Sequence, residues 1–338
     1  MDLQYLWFFI VGFLFVGYFV LDGFDFGVGM SIPFLSKDDT DRRVIINTIG
    51  PVWDLNETWL IVAGACLFAS FPEWYATLFS GFYLALLLIL IALILRGVSF
   101  EYRHQGKGVE WTKWFDRMIF FGSVLPAFVW GVAFSNIIQG VPLDDGHNFT
   151  GSLLTLLNPY GLLGGLTTLL IFFTHGVVFV SLKTEGDLRM RARALAARSG
   201  LITVVVAAAF LGWTILQHID KPHAWLIITF AGLAAVALVA ALLFNAVGFE
   251  GRAFTAMALT TLFAVATILS ALFPDVMPAS NNPANSLTIE NASSTPYTLN
   301  LMTWMAAFAL PLVIAYQAWT YWVFRKRVSR TTVLESAH

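Results

Sequence analysis

The sequence has few charged residues and almost no cysteine. Asp, Glu, Lys and Arg make up only 12% of its 338 residues, about half the share in an average soluble domain. The single cysteine, Cys66, excludes a disulfide or a cysteine-based metal site within the chain, and we interpret it as a small packed apolar residue. Phosphate-binding glycine loops, nucleophile motifs and repeats of fixed period are also missing. These absences argue against a soluble enzyme or a repeat protein.

Hydrophobic residues, in contrast, make up 58% of the chain. Nine apolar stretches are each long enough, at about 1.5 Å per residue, to cross about 30 Å of hydrocarbon. Backbone groups find no water there, so the stretches must be helical. We therefore predict an all-α integral membrane protein with about nine transmembrane helices, at 6–30, 52–72, 76–98, 118–139, 159–182, 199–217, 224–246, 253–273 and 300–324.

The basic residues predict how the chain crosses the membrane. No basic residue precedes Lys37, so the first stretch is interpreted as a span and not as a signal peptide. In the nine-span arrangement, every Lys and Arg except Lys221 falls on one side, and short cytoplasmic loops retain positive charge. The N-terminus is predicted outside and the C-terminus in the cytoplasm. The single polytopic domain, 1–338, then comprises helices 1–4 (6–139), helices 5–8 (159–273), an outer loop (274–297), helix 9 (300–324) and a cytoplasmic tail (325–338).

Four acidic residues lie within or beside the predicted spans, where a charge costs a few kcal/mol or more. Asp22 and Asp25 share one face of the first helix, and Asp54 and Glu57 repeat the same spacing at the start of the second. All four fall in the cytoplasmic half, which is typical of a half-channel that delivers protons inward. Alternating-access carriers instead place their site near the midplane.

Each of these acids also has an ordinary structural interpretation. Asp22 and Asp25 could pair with a nearby arginine, Asp54 could cap its helix, and Glu57 could be an acid of the first turn. Arg96, at the inner end of the third helix, is either a counter-charge for one of the acids or a side chain that reaches the interface.

Aromatic residues and one histidine leave further alternatives open. His175 is the one histidine clearly inside a predicted span, and a hydrogen-bonded core histidine is its more common role. Tryptophans near the predicted inner ends are typical of a lipid-anchoring belt, although a quinone site would use the same residue types. These are Trp53, Trp59, Trp111, Trp114, Trp319 and Trp322.

Several long motifs resemble those of one known family. They are LDGFDFGVGM, DRRVIINTIGPVWDLNETWL, FSGFYLAL, LRGVSFEYR, GVAFSNIIQGVP, LLNPYGLLGG, FPDVMPAS, NSLTIENASS and TLNLMTWMA. Together they extend over nearly the whole chain. On these motifs the sequence resembles subunit II of the cytochrome bd quinol oxidases.

The resemblance implies a bacterial inner-membrane heterodimer that oxidises quinol and reduces dioxygen to water. Subunit I would carry two haems b and one haem d, while subunit II, with two four-helix bundles and a ninth helix, binds no haem iron. Membrane lipid and small single-helix subunits are further expected partners; nucleic acid is not. The resemblance places a cytoplasmic proton path at Asp54, with Asp25 and Asp22 as neighbours.

Two features depart from the resemblance or limit it. The family often has no histidine at the position of His175, and the outer turn at Asp220–Ala224 is short compared with some relatives. The chain also lacks the paired histidine or methionine ligands that a bis-liganded haem requires. A secondary transporter or proton channel is the alternative function. The nature of the quinol, and whether a quinone is bound in this chain, stay open.

Overall fold

The computed structural model describes residues 2–106 and 108–335, so Lys107 and the end of the predicted tail, 336–338, lie outside it. The fold is all-helical apart from one small hairpin. Within the described residues the helices are α1 (Leu3–Leu35), α2 (Asp39–Ile49), α3 (Trp53–Ser70), α4 (Pro72–Gly81), α5 (Tyr83–Tyr102), α6 (Val109–Gln139), α7 (Leu153–Leu156), α8 (Pro159–Lys183), α9 (Gly186–His218), α10 (Ala224–Val247), α11 (Glu250–Leu272), α12 (Pro296–Val323) and α13 (Arg330–Glu335).

The predicted all-α membrane fold is confirmed. In the described ranges, eight helices are long and apolar enough to cross a membrane: α1, α5, α6 and α8 to α12. A ninth is reached when α2 and α3, bent by 46° across a short break, are counted as one span. The prediction of about nine spans therefore holds with the second one broken.

Three predicted boundaries are wrong, and one is the start of the fourth helix, predicted at 118 but found at Val109. The third stretch, 76–98, joins the end of α4 to α5, and the break lies at Phe82, whose backbone leaves the α-helical region. Pro72, at the first position of α4, favours a new helix there because its ring presets the backbone angle. The sixth helix was predicted at 199–217, but α9 begins at Gly186. Its first turns carry charged side chains, which hydrophobicity alone does not identify as helical.

The helices form two groups of four that pack side by side. The first contains α1, α3, α5 and α6, and the second contains α8 to α11. Helices α1 and α8 meet backbone to backbone at the seam: a Cβ atom on Gly176 would lie 2.2 Å from the carbonyl carbon of Gly27. Small residues allow this close approach, as is common between membrane helices.

Helix α12 stands at the edge of this arrangement. Only 6% of its most apolar stretch is buried in the chain, and its contacts are with α1 and α3. At one end it follows the loop 273–295, where β1 (Asp275–Met277) pairs antiparallel with β2 (Leu287–Thr288). The predicted outer loop is thus an ordered structure, joined to the rest by a hydrogen bond from the Ser294 amide to the Ser70 carbonyl at 2.8 Å.

The segment after α12, 324–335, folds back over the opposite end of the bundle. The Val328 amide donates to the Lys183 carbonyl at 2.7 Å. Arg330 pairs with Asp38 and Asp41, each at 2.6 Å. We call this segment the C-terminal strap, and we call the end of the bundle on which it lies the basic end, because the predicted cytoplasmic loops meet there.

Candidate functional site: a buried polar cluster

A buried ion pair joins α1 to α5. The Arg96 Nη1 atom lies 3.1 Å from Asp22 Oδ1, and neither side chain is exposed. Glu57 on α3 approaches the same nitrogen at 3.9 Å, and its side chain is 21% exposed. The guanidinium also lies 4.6 Å from the ring centre of Phe26, so its remaining surroundings are largely apolar.

A second set of hydrogen bonds joins α1, α3 and α12. The Asn56 Nδ2 atom donates to Asp25 Oδ2 at 2.7 Å. The Asn56 Oδ1 atom accepts from Gln317 Nε2 at 2.8 Å and from the Tyr321 hydroxyl at 2.9 Å. The Trp59 indole donates to Gln317 Oε1 at 3.4 Å. Although most of α12 is exposed, it therefore contributes two polar side chains to the interior.

Some buried atoms of the two carboxyl groups and the guanidinium have no hydrogen-bond partner among the described residues. They are Asp22 Oδ2, Asp25 Oδ1, and Nε and Nη2 of Arg96. A buried polar atom without a partner costs about 1–3 kcal/mol, and more when the group is charged. Their retention in the centre of the bundle is therefore expected to serve a function.

The structure brings together three of the four predicted acids. Asp22 and Glu57 approach each other through Arg96, while Asp25 lies beside them on α1 and bonds to Asn56. Asp54 lies apart, exposed in the first turn of α3 at the basic end. It is not the N-cap, a position taken by Val52, and its side chain forms no hydrogen bond or ion pair with a described residue.

Sequence reasoning missed the neutral members of the cluster. Asn56 stands between Asp54 and Glu57 in the recognised motif, and Gln317 is an amide in the mainly apolar helix α12, which also contains Asn300. Both signals were visible, but neither identifies a partner. Trp59, assigned from the sequence to an aromatic belt, is only 7% exposed and belongs to this cluster instead.

His175 lies outside the cluster, on α8. Its ring is completely buried, 4.8 Å from the ring centre of Phe254 and 5.6 Å from that of Phe24. Neither ring nitrogen has a hydrogen-bond partner among the described residues. Nowhere in residues 2–106 and 108–335 do three or more His, Cys, Asp or Glu side chains form a group that could hold a metal ion.

Comparison with known proteins decides the family. The family model described as "Cytochrome bd terminal oxidase subunit II" matches residues 3–324. The chain belongs to this family.

Curated relatives of the cytochrome bd family match almost from end to end. The Bacillus subtilis protein named "Cytochrome bd ubiquinol oxidase subunit 2" is 42% identical over 97% of each chain. The Escherichia coli K12 protein named "Cytochrome bd-I ubiquinol oxidase subunit 2" is 36% identical over 99% of this chain and 98% of its own.

A solved structure shares the fold. A chain in the structure titled "The structure of bd oxidase from Geobacillus thermodenitrificans" aligns with a TM-score of 0.76 over 96% of this chain and 99% of its own. The two are 17% identical, so this likeness concerns the fold. Family membership favours an oxidase subunit over the transporter or channel considered as the alternative.

Proposed function

We propose that this chain is the second subunit of a cytochrome bd quinol oxidase and that its buried acids carry protons toward the partner's dioxygen site. The observation that carries the first part is the family match over residues 3–324. The complex belongs to the terminal oxidases of a respiratory chain, and the relatives named above are ubiquinol oxidase subunits. The second part rests on the geometry of the cluster.

The haems, two b and one d, are assigned to the partner, subunit I. The side chains here do not fit a haem iron: His175 packs between two aromatic rings, and no second histidine joins it there among the described residues. A bis-liganded haem needs two such ligands at matched depth. This chain therefore supports the haem-bearing subunit and does not hold the iron.

The surroundings of the complex follow from the chain's composition and its family. We place it in the bacterial plasma membrane, with the basic end in the cytoplasm, in contact with lipid and with subunit I. Small single-helix subunits are proposed as further partners, with quinol and dioxygen as substrates of the complex. A bound quinone and the type of quinol are left open.

The proposed proton route begins at the basic end. Asp54 is exposed there, and Glu57 lies one turn further along α3 with a side chain that is 21% exposed. Arg96 then connects Glu57 to the fully buried Asp22, and Asp25 follows on the same helix. These acids thus lead from the exposed Asp54, through the partly exposed Glu57, to the fully buried Asp22 and Asp25.

The cluster has the charge balance that proton transfer requires. The cluster holds three carboxyl groups and one guanidinium: Asp22 and Glu57 approach Arg96 directly, and Asp25 is bonded to Asn56. Uptake of one proton reduces the net negative charge of the interior, and loss of that proton restores it. Arg96 limits the cost of the ionised state, because opposite charges attract strongly where the effective dielectric constant is low.

The proposal is tested in the complete complex by Asp25→Asn, by Asp54→Asn and by the double variant. Asparagine keeps the size of the side chain and most of its hydrogen bonds but carries no titrating proton. We expect quinol-driven oxygen consumption and the coupled proton uptake to slow by about a hundred-fold in Asp25→Asn, at the lower end of what a proton-transfer group contributes. Asp54→Asn should slow them less, since bulk water can reach past an exposed residue.

Two further results decide the matter. Residues in series should give a double variant that is no slower than the slower single variant. Glu101→Gln, which changes an exposed acid at the basic end, serves as the matched control and should leave both rates unchanged. Haem content is measured from the visible spectrum in every preparation. Wild-type oxygen consumption and proton uptake in the double variant, with haem intact, would contradict the proton route.

A further inference from the structure

The Asn56 side chain uses all of its hydrogen-bonding capacity. Its Oδ1 atom accepts two bonds, from Gln317 and Tyr321. Its Nδ2 atom donates two, to Asp25 Oδ2 at 2.7 Å and to the Leu21 carbonyl at 3.4 Å. Asn56 is completely buried, so water cannot replace a lost bond. Exchanging its amide oxygen and nitrogen would place donors opposite donors and acceptors opposite acceptors.

The direction of these bonds is fixed at both ends. The Trp59 indole N–H can only donate, so Gln317 must turn its Oε1 atom toward it and its Nε2 atom toward Asn56. Asn56 then presents Oδ1 to Gln317 and Nδ2 to Asp25. At the other end the Leu21 carbonyl can only accept, which requires the same orientation of Asn56.

We propose that this directed series, Trp59 to Gln317 to Asn56, determines which oxygen of Asp25 carries a proton. Oδ2 accepts the Asn56 N–H bond, and this bond is stronger when Oδ2 is the carbonyl oxygen of the protonated carboxyl group than when it carries the proton. The proton therefore binds to Oδ1, the oxygen that has no partner among the described residues. Asp25 exchanges protons from one side alone, and Trp59, Gln317 and Asn56 are positioning residues for it.

The inference deepens the proposed proton route and rests on it. It also gives the exposed helix α12 a specific role: Gln317 accepts from Trp59 and donates to Asn56, and so determines the orientation of the Asn56 amide. If Gln317 served only for packing, another side chain of similar size could replace it. A directing contact needs its amide in one orientation.

Infrared difference spectroscopy of the complete complex across a pH titration tests the orientation. Protonation on Oδ1 leaves Oδ2 as the carbonyl oxygen, hydrogen-bonded to Asn56, which lowers its stretching frequency. The band of protonated Asp25 is identified by its loss in Asp25→Asn. Gln317→Met keeps the length of the side chain and removes the amide, while Trp59→Phe keeps an aromatic side chain but replaces the indole, with its N–H, by a smaller phenyl group. Tyr316→Phe, on an exposed position of α12, is the matched control.

We expect the Asp25 band to shift or split in Gln317→Met and in Trp59→Phe, because the orientation of Asn56 then depends on its 3.4 Å bond to the Leu21 carbonyl, which is too weak to keep a single orientation. The band should stay in place in Tyr316→Phe. An unchanged band in both variants, with a normal haem spectrum, would overturn the inference. So would the absence of any Asp25-dependent band at every pH. If Asp25→Asn slows proton uptake but the Asp25 band does not change in Gln317→Met, only the orientation proposal fails. If the band shifts as expected but Asp25→Asn takes up protons normally, only the route fails.

Discussion

At the scale of single residues, Arg96 is the group on which the cluster depends. Its side chain is fully buried and lies 3.1 Å from Asp22, whose second oxygen has no partner among the described residues. Removing one member of a buried pair leaves the other charge uncompensated, which is far more costly than removing both. The pair is therefore expected to behave as a unit under mutation.

We predict that Arg96→Met lowers the stability of the complex by about 3–5 kcal/mol, the usual cost of breaking a buried ion pair from one side. The double variant with Asp22→Asn should recover much of this loss, because it also removes the fully buried charge that lies closest to Arg96, while the remaining partner Glu57 is 21% exposed. The measurement is thermal unfolding of the purified complex, followed by haem absorbance. Arg198→Met, at an exposed base on α9, should change little. Equal losses in the single and double variants would show that Arg96 acts through packing alone.

Elements of secondary structure meet in ways that hydrophobicity does not specify. Gly176 on α8 and Gly27 on α1 allow two backbones to touch, whereas Gly212 on α9 has no heavy atom within 4 Å of an added Cβ. All three residues lie in apolar helices and look alike in the sequence. Their difference comes from which helices are neighbours.

Gly176→Ala is predicted to prevent normal packing of α1 on α8, since its Cβ would lie 2.2 Å from a backbone carbon that cannot move aside. We expect a loss of about 3 kcal/mol or more, at or above the upper end of ordinary overpacking. Gly212→Ala is the matched control and should leave stability within about 0.5 kcal/mol of wild type. Yield of assembled complex and its thermal midpoint measure both. A stable, fully assembled Gly176→Ala complex would refute this contact.

The sequence predicts the elements well and their neighbours poorly. Span number and the depth of Asp22 and Asp25 follow from apolar runs and from helix rise, which are local properties. The bond between Asn56 and Gln317 joins residues 261 positions apart, and no periodicity relates them. Neutral amides also cost less in an apolar helix than acids do, so they attract less notice. The charged half of the cluster was therefore predicted, and the half that orients it was not.

At the scale of the whole molecule, the main property is the difference between the two ends of the helix bundle. The loops with basic residues meet at one end of the bundle, and the acids of the cluster are reached from that same end. A proton taken up there crosses part of the membrane potential, which is worth about 2.3 kcal/mol per charge per 100 mV. The orientation of the chain thus determines whether turnover conserves energy.

A reporter fused after His338 should be active in the cytoplasm if the basic end faces inward. A reporter inserted at Gly146, in the exposed loop at the other end, should be active only when exported. The pair of fusions also tests the number of spans between them, because one missed span between Gly146 and His338 would place both on the same side. Export of the reporter fused after His338 would show that the proposed orientation of the chain in the membrane is wrong.

The C-terminal strap has a consequence for how the protein is made. It is synthesised after every described span, yet Arg330 pairs with Asp38 and Asp41, which follow directly after the first of them. Until these pairs form, α12 is held only by its contacts with α1 and α3, among them the bonds of Gln317 and Tyr321 to Asn56. Ribosomes that stop early would therefore release a protein with all its spans inserted but its ninth helix loosely attached. A cellular protease that recognises loose helices could distinguish such a product from the finished chain.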